Sequence, residues 1–384
     1  MITDFSLLLL VLALTVPLYW ALPEKRRPAR LAVLSLVSVT LLYLLSPLIF
    51  LSVIFYALLY GIFALLIRRQ TLPIPRLKAA SWLVFLPLAV LEQVPPEIVA
   101  KGLLGESVLE MPLLIGFTFL GASYSAIRCF ILIRETLQDP MPNLSEALAS
   151  LLFFGSFMAG PITGAAPYRN SAPTLTRAAG LMGLARLGWG VAMFLVIKPL
   201  AEGVDLAALT GATGATLAWL GLYHKFLLLY IDFSGYSDIA IGCALLYGIK
   251  LPENFNWPLR ATSIQEFWQR WHMSLGAFIG TYLFKPIVRQ FGKPWLAIFV
   301  AFTAVGIWHA VTLPYLLWGI GHGAALALNM TLRKAVPVKT WPKPLFRINQ
   351  AFGWVVTMTF VAFLSSFANT TGLTASFQLV QSLF

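Results

Sequence analysis

Of 384 residues, 59% are apolar and only 11% carry a formal charge, less than half the roughly 25% of an ordinary soluble domain, which excludes a soluble globule. Text such as Phe5 to Leu22 runs without a charged group. It suits helices that cross a bilayer and excludes a porin-like barrel, whose strands alternate apolar and polar. The excess of 27 Lys and Arg over 15 Asp and Glu falls in short loops, as the positive-inside tendency requires, and no basic stripe interleaved with aromatics offers a groove for nucleic acid.

Residues 5–22 read as a retained first span rather than a secretory signal. Asp4 stands where a basic n-region belongs, and a bulky Pro-Glu-Lys-Arg-Arg follows where small residues would mark cleavage. The basic loop Glu24 to Arg30 places the N-terminus outside. Residues 31–67 are too long for one untilted span and are expected to turn near Ser46-Pro47. Arg68 to Lys78 carries four basic residues and no acid, an inside loop, and the acidic segment Glu92 to Glu110 belongs outside. Further spans are expected near 112–134, 180–200, 215–231, 236–249, 295–311, 313–332 and 351–368. Two stretches, Phe153 to Pro173 with its Gly160-Pro161 and the polar run Leu251 to Arg270, read as re-entrant or interfacial pieces lining a cavity, where non-helical backbone is tolerated. The loop Arg333 to Arg347 is basic and proline-rich, again inside. The reading is an all-α, polytopic chain of about 10–11 membrane segments forming one membrane-embedded domain over 1–384.

Ionisable groups lodged in apolar text are informative, because each costs about 2.5–3.5 kcal/mol or more at mid-bilayer unless paired or hydrated. They are Arg128, Asp232, Asp238 and the four histidines His224, His272, His309 and His322. Asp232 and Asp238 sit about 120° apart on an ideal helix, and Ser234-Gly235 between them is expected to break it. They either hydrogen-bond broken-helix amides or take part in a site. His224 and His322 either bond a neighbouring helix or serve a site. His272 either anchors an interfacial Arg-Trp-His cluster or works in a site. His309 follows Trp308 in a strongly apolar span with nothing local to pair with, which favours function. His309 and His322 face about 220° apart around an ideal helix, with Pro314 between them, and form no local metal pair. Cys129 and Cys243 read as small buried hydrophobes. With no HExxH, CxxC, P-loop or GxSxG, chemistry by a positioned base is better supported than a metal, nucleotide or covalent nucleophile.

Several segments are similar to the membrane-bound O-acyltransferase (MBOAT) family, in its bacterial branch of the D-alanyl transfer and alginate O-acetylation proteins. They are DFSGYSDIAIG at 232–242, LPENFNWP at 251–258, EFWQRWHMSL at 266–275 and GIWH at 306–309, in the family's order, with AGPI at 159–162 and the span at 116–135. The likeness covers about 110–335; the spans within 5–100 match only in hydropathy and are taken as peripheral. The resemblance implies a ring of tilted and re-entrant helices around a central tunnel. It also implies that His309 is catalytic and His272 its partner, with Asp232, Ser234, Tyr236, Asp238, Asn254, Asn256, Trp268, Arg270, Trp271, Trp308 and His322 binding substrate or supporting the site. No cofactor or metal is expected to be tightly bound. The donor would be an acyl thioester, on an acyl carrier protein or of coenzyme A type, approaching from the cytosolic side of a bacterial inner membrane. An acceptor or partner protein would act outside, with membrane lipid as surroundings. The chain departs from the family pattern at Thr163-Gly164, at Gly276 to Tyr282 and at Ala310, and it lacks a PLGGNR-like loop; its size leans towards the D-alanyl branch. The chemistry implied is transfer of a D-alanyl or acetyl group to a hydroxyl of an envelope polymer or an intermediate carrier, with His309 as general base and His272 orienting the donor or meeting the developing oxyanion. The competing class is a transporter or flippase using buried His and Asp as a proton relay, which gives no account of RWH and WH in one chain.

Overall fold

The computed structural model describes residues 5–45, 47–88, 112–138, 140–157, 159–335, 342–368 and 373–383, and every regular element among them is helical. The chain forms two compact units, Met1–Val191 with Gly235–Pro252, and Ala192–Ser234 with Glu253–Phe384. Among the described residues five helices are long and apolar enough to cross a membrane: Glu24–Leu44, Ile49–Arg68, Arg177–Glu202, Gly214–Leu246 and Lys343–Ser366; Phe5–Ala21 and Pro294–His309 are shorter apolar helices. Large apolar side chains such as Leu14, Leu36, Leu58, Leu200 and Phe352 face outward, as lipid-facing surfaces require. The protein is multi-pass and all-α. The acidic segment Glu92 to Glu110, assigned to the outside, lies beyond the described residues.

In the first unit, α1 (Phe5–Ala21), α2 (Arg27–Leu45) and α3 (Pro47–Arg68) follow one another. The long run at 31–67 divides as expected, with Pro47 opening α3, a position where its missing N–H costs nothing. The basic loop at 24–30 is not a free loop. A short 3-10 turn leads straight into α2; Arg27 donates to the carbonyls of Arg169 and Ser171 (2.6 Å each) and Arg30 to that of Pro173 (2.8 Å). After α4 (Pro112–Thr136) comes α5 (Leu144–Leu152), opened by a capping box in which Asn143 and Glu146 satisfy each other's amides.

The non-helical stretch around 153–165 is satisfied by protein. Phe153, Phe154 and Phe157 are buried, and Arg128 of α4, 0% exposed, donates to the Ser150 carbonyl (3.3 Å), Ser156 Oγ (3.2 Å) and the Phe157 carbonyl (3.2 Å). The Glu135 carboxylate takes the Ala165 amide at 2.8 Å, and Arg169 pairs with Glu146 at 3.1 Å. Irregular backbone at membrane depth survives only with such partners. Arg128 is therefore a brace.

Helix α6 (Arg177–Ala192) packs closely on the second half of α7 (Gly214–Leu246). A Cβ added at Gly190 would meet the Gly235 carbonyl at 2.6 Å, and one at Gly242 the Leu187 amide at 2.6 Å; small residues permit this approach. Arg186 of α6 meets Asp238 across the same contact at 2.6 Å. The sequence divided this region into spans at 215–231 and 236–249, and the structure corrects that. Residues 214–246 form one helix of 33 residues. Ser234 does not break it because its hydroxyl donates to the Tyr230 carbonyl one turn back (2.6 Å), and Gly235 is used for close packing rather than for a turn. At about 1.5 Å per residue the helix exceeds a hydrocarbon core of about 30 Å.

The second unit holds the first part of α7, the irregular stretch from Glu253, α8 (Ile264–Arg270), α9 (Met273–Ile279), α10 (Pro294–His309), α11 (Leu313–Ala335) and α12 (Lys343–Ala368). Its core gathers Phe226, Phe267, Trp271, Phe302, Met358 and Val361. Helices α10 and α11 form an antiparallel hairpin with backbones in contact: a Cβ at Gly319 would lie 2.6 Å from the Phe302 carbonyl oxygen, and one at Gly323 2.9 Å from that of Phe299. Pro294 and Pro314 sit in the first turns, where proline is tolerated. The basic loop expected at 333–347 is shorter, since Arg333 still belongs to α11 and Lys343 and Arg347 to α12.

Candidate active site

His309 ends α10, and after three linking residues α11 returns with Tyr315, Trp318 and His322 spaced three and four residues apart, hence on one face. The Gly306 and Gly319 contact fixes how closely the two helices approach. Together they place His309 and His322 on one cavity of about 160 Å³. Phe226, Leu229 and Phe233 of α7, Phe267, Trp268, Trp271, His272 and Leu275 around the α8–α9 junction, and Val361 and Ser365 of α12 complete its wall. All belong to the second unit. Among the described residues lining it, the titratable groups are three histidines and Tyr315; no carboxylate, lysine, arginine or cysteine is among them.

The ring of His309 stacks on Tyr315 (centroids 5.6 Å, 25° between planes) and meets Trp318 edge-on at 5.5 Å, with Trp308 at 4.6 Å on another side. Ala310, where the family pattern has glycine, has φ −165° and ψ 142°, extended backbone open to any residue. That departure leaves the turn after His309 intact.

His272 reaches the cavity by a different route. Helix α8 begins with the Ser263 hydroxyl accepting the Glu266 amide (3.2 Å), and Arg270 closes it by pairing with Glu266 (2.9 Å) and donating to the Asn256 carbonyl (3.0 Å). The chain then turns in two residues. Trp271 is extended and His272 left-handed at φ 42°, ψ 54°, a conformation that costs a non-glycine residue about 1–3 kcal/mol. The cost is offset by bonds on both sides. Asn254, fully buried, accepts the Met273 amide on its carbonyl (2.9 Å) and the Ser274 hydroxyl on its side chain (2.6 Å). His272 is itself 3% exposed and meets Phe233 edge-on at 4.7 Å, while Trp271 stacks on Phe226 and Phe267.

The residues expected at a site therefore separate into groups. His309, His272, His322, Trp268 and Trp271 line the cavity. Asn254, Asn256 and Arg270 hold the segment that carries His272, and Trp308 packs on His309. Ser234 bonds its own helix. Asp232 pairs with Lys198 at 2.8 Å and Asp238 with Arg186 at 2.6 Å, and neither is among the residues that line the cavity. Tyr236 is buried in the first unit. His224 bonds the Ala201 carbonyl through Nε2 at 2.8 Å, the bland alternative. Sequence reasoning missed Tyr315, Trp318, Phe233 and Ser365, although the spacing of Tyr315, Trp318 and His322 was available. Of the two stretches expected to line a cavity, Leu251 to Arg270 contributes Phe267 and Trp268 to this one, and none of the described residues of Phe153 to Pro173 is in its wall. Cys129 and Cys243 are buried and free, and no group of three or more His, Cys, Asp or Glu among the described residues could hold a metal ion.

Comparison with known proteins finds relatives of this chain. Residues 202–368, which include His272, His309 and His322, match the MBOAT, membrane-bound O-acyltransferase family. The chain is 35% identical over 147 residues to a peptidoglycan O-acetyltransferase of Helicobacter pylori and 37% identical over 147 residues to a "Probable alginate O-acetylase" of Pseudomonas aeruginosa; each match takes in 38% of this chain and 27% of the relative. It is 29% identical over 267 residues to a teichoic acid D-alanyltransferase of Bacillus subtilis, covering 64% of this chain and 67% of that one. The chain thus spans about a quarter of the first two relatives and two thirds of the third.

Proposed function

We propose that this multi-pass membrane protein, whose residues 202–368 match the membrane-bound O-acyltransferases, is itself an O-acyltransferase that moves a short acyl group from a thioester to a hydroxyl. The observation that carries the reading is His309 at the end of α10, opening with His272 and His322 onto an aromatic-walled cavity without carboxylate, cation or cysteine. Such walls exclude water, which would otherwise hydrolyse the thioester. A neutral imidazole of His309 takes the proton of the acceptor hydroxyl as its oxygen bonds to the thioester carbonyl carbon. The C–S bond then breaks and the imidazolium returns the proton to the departing sulfur. General-base help of this kind is worth about 10²–10⁴-fold. His272, held by Asn254, orients the donor.

The donor is a cytosolic thioester, on an acyl carrier protein or coenzyme A, the membrane is the bacterial inner membrane, and the acceptor is an envelope polymer or an intermediate outside it. The named activities of the relatives support an acetyl or D-alanyl group. Arg333, Lys343 and Arg347 supply positive charge that would attract an acidic carrier. The relay of a transporter lacks support, since Asp232 and Asp238 are tied to Lys198 and Arg186. Membranes containing the protein, its envelope acceptors and partners are incubated with labelled acetyl coenzyme A or a D-alanyl carrier-protein thioester. Label should enter the envelope fraction from one of them; labelling from neither overturns the reading.

A further inference from the structure

His322 is buried on α11 at 1% exposure, and its ring is clamped by Trp318 (4.7 Å), Trp268 (5.1 Å) and Phe360 (5.4 Å), all near edge-on. Trp268 Nε1 donates to His322 Nδ1 at 3.2 Å. An indole nitrogen can only donate, so Nδ1 must be the bare acceptor and a neutral His322 must carry its proton on Nε2. Among the described residues that N–H has no protein partner, although the ring lies in the cavity wall. A donor on the wall of a largely apolar cavity is costly unless a group in the cavity takes its bond. His309 differs, because its ring has aromatic neighbours but no hydrogen bond among the described residues to fix its tautomer.

We propose that His322 is a third functional group of this site: its Nε2–H meets the acyl carbonyl oxygen, and Trp268 is the positioning residue that locks the required tautomer. The proposal rests on the acyltransferase reading. As the acceptor oxygen bonds to the carbonyl carbon and His309 takes its proton, the carbonyl π pair moves onto oxygen, where the His322 N–H meets it. When the C–S bond breaks, that pair re-forms the carbonyl and His309 returns the proton to sulfur. His322 keeps its proton throughout. The division of labour follows from the hydrogen bonds: the imidazole with a fixed outward N–H donates, and the one with unoccupied nitrogens accepts.

The test uses the full chain in membranes with acetyl coenzyme A and a D-alanyl carrier-protein thioester as probes. His322→Leu should lower kcat by about 10²–10³-fold, the usual loss on deleting an oxyanion donor, with little change in KM for the donor. His322→Gln, whose amide N–H reaches where Nε2 lay, should recover at least about tenfold of that loss, again on the scale of a single donor. Trp268→Phe, which frees the tautomer, should lower kcat less than His322→Leu. Activity of His322→Leu near wild type, or equal loss in the Leu and Gln variants at wild-type abundance, overturns the proposal while leaving the acyltransferase reading in place. Where the Leu variant fails to accumulate, nitrogen resonances of labelled histidine in the native protein decide: a protonated Nε2 and bare Nδ1 on His322 support the proposal, and the reverse tautomer overturns it. A wild-type protein inactive with both donors removes the acyltransferase reading and this inference with it.

Discussion

Replacing Gly319 with alanine adds one methyl group at the point where α10 and α11 touch. Its Cβ would lie 2.6 Å from the Phe302 carbonyl oxygen and 3.1 Å from Gly306 Cα, whereas ordinary contact begins at 3.4 Å. Both obstacles are helix backbone and cannot rotate away. The helices must part by about 0.8 Å to relieve the closer contact, with His309 on one and Tyr315, Trp318 and His322 on the other. Overpacking of this kind costs about 1–3 kcal/mol, and a displacement near 1 Å between reacting groups costs about 10²-fold in rate. Gly319→Ala should therefore lower both the melting temperature in detergent and, by one to two orders of magnitude, kcat per folded molecule in the acyl-transfer assay. Gly188→Ala is the control, since nothing lies within 4 Å of an added Cβ there; it should leave activity unchanged and stabilise α6 by up to about 1 kcal/mol through helix propensity. Wild-type kcat in Gly319→Ala would refute the idea that this contact sets the spacing of the histidines.

Asn254→Ala removes the acceptor of the Ser274 hydroxyl beside the left-handed His272. It should cost about 1–3 kcal/mol and lower kcat more than it raises KM, measured by thermal unfolding and steady-state transfer; full activity would show that His272 holds its pose without this brace. Asp238→Asn removes the charge that Arg186 meets and should reduce abundance in membranes, because a cation in a span costs up to about 2.5–3.5 kcal/mol when its counter-charge is weakened. Its kcat per folded molecule should stay at the wild-type level; a large loss of kcat at normal abundance would place Asp238 in the chemistry after all.

What the sequence could reveal depended on whether the evidence was local. His309 and His272 stand out because an imidazole in apolar text demands a reason, and the helix that carries His309 follows from hydropathy. The partners of Asp232 and Asp238 were not legible. Lys198 and Arg186 lie on the separate span Arg177–Glu202, and only the ion pairs of the folded chain show which acid meets which base. Ser234-Gly235 misled for a related reason: serine can compete with a helix or bond back into it, and glycine can break a helix or let another approach. The neighbour at Gly190 decides, and it is 45 residues away in the sequence. Tyr315 and Trp318 were legible in principle from their spacing to His322, but aromatic residues at helical intervals are so often core that spacing alone gives no reason to choose them. The left-handed turn at His272 carries no glycine or asparagine to announce it, so only its supporting bonds reveal it.

The central claim is that His309 is the base that takes the acceptor's proton. It is tested most directly by His309→Ala in membranes with the labelled thioester donors, with abundance and folding of the variant checked alongside. The account predicts a folded, inserted protein whose transfer falls by at least about 10²-fold, the lower end of the usual general-base contribution. Transfer at the wild-type rate in that variant would contradict it.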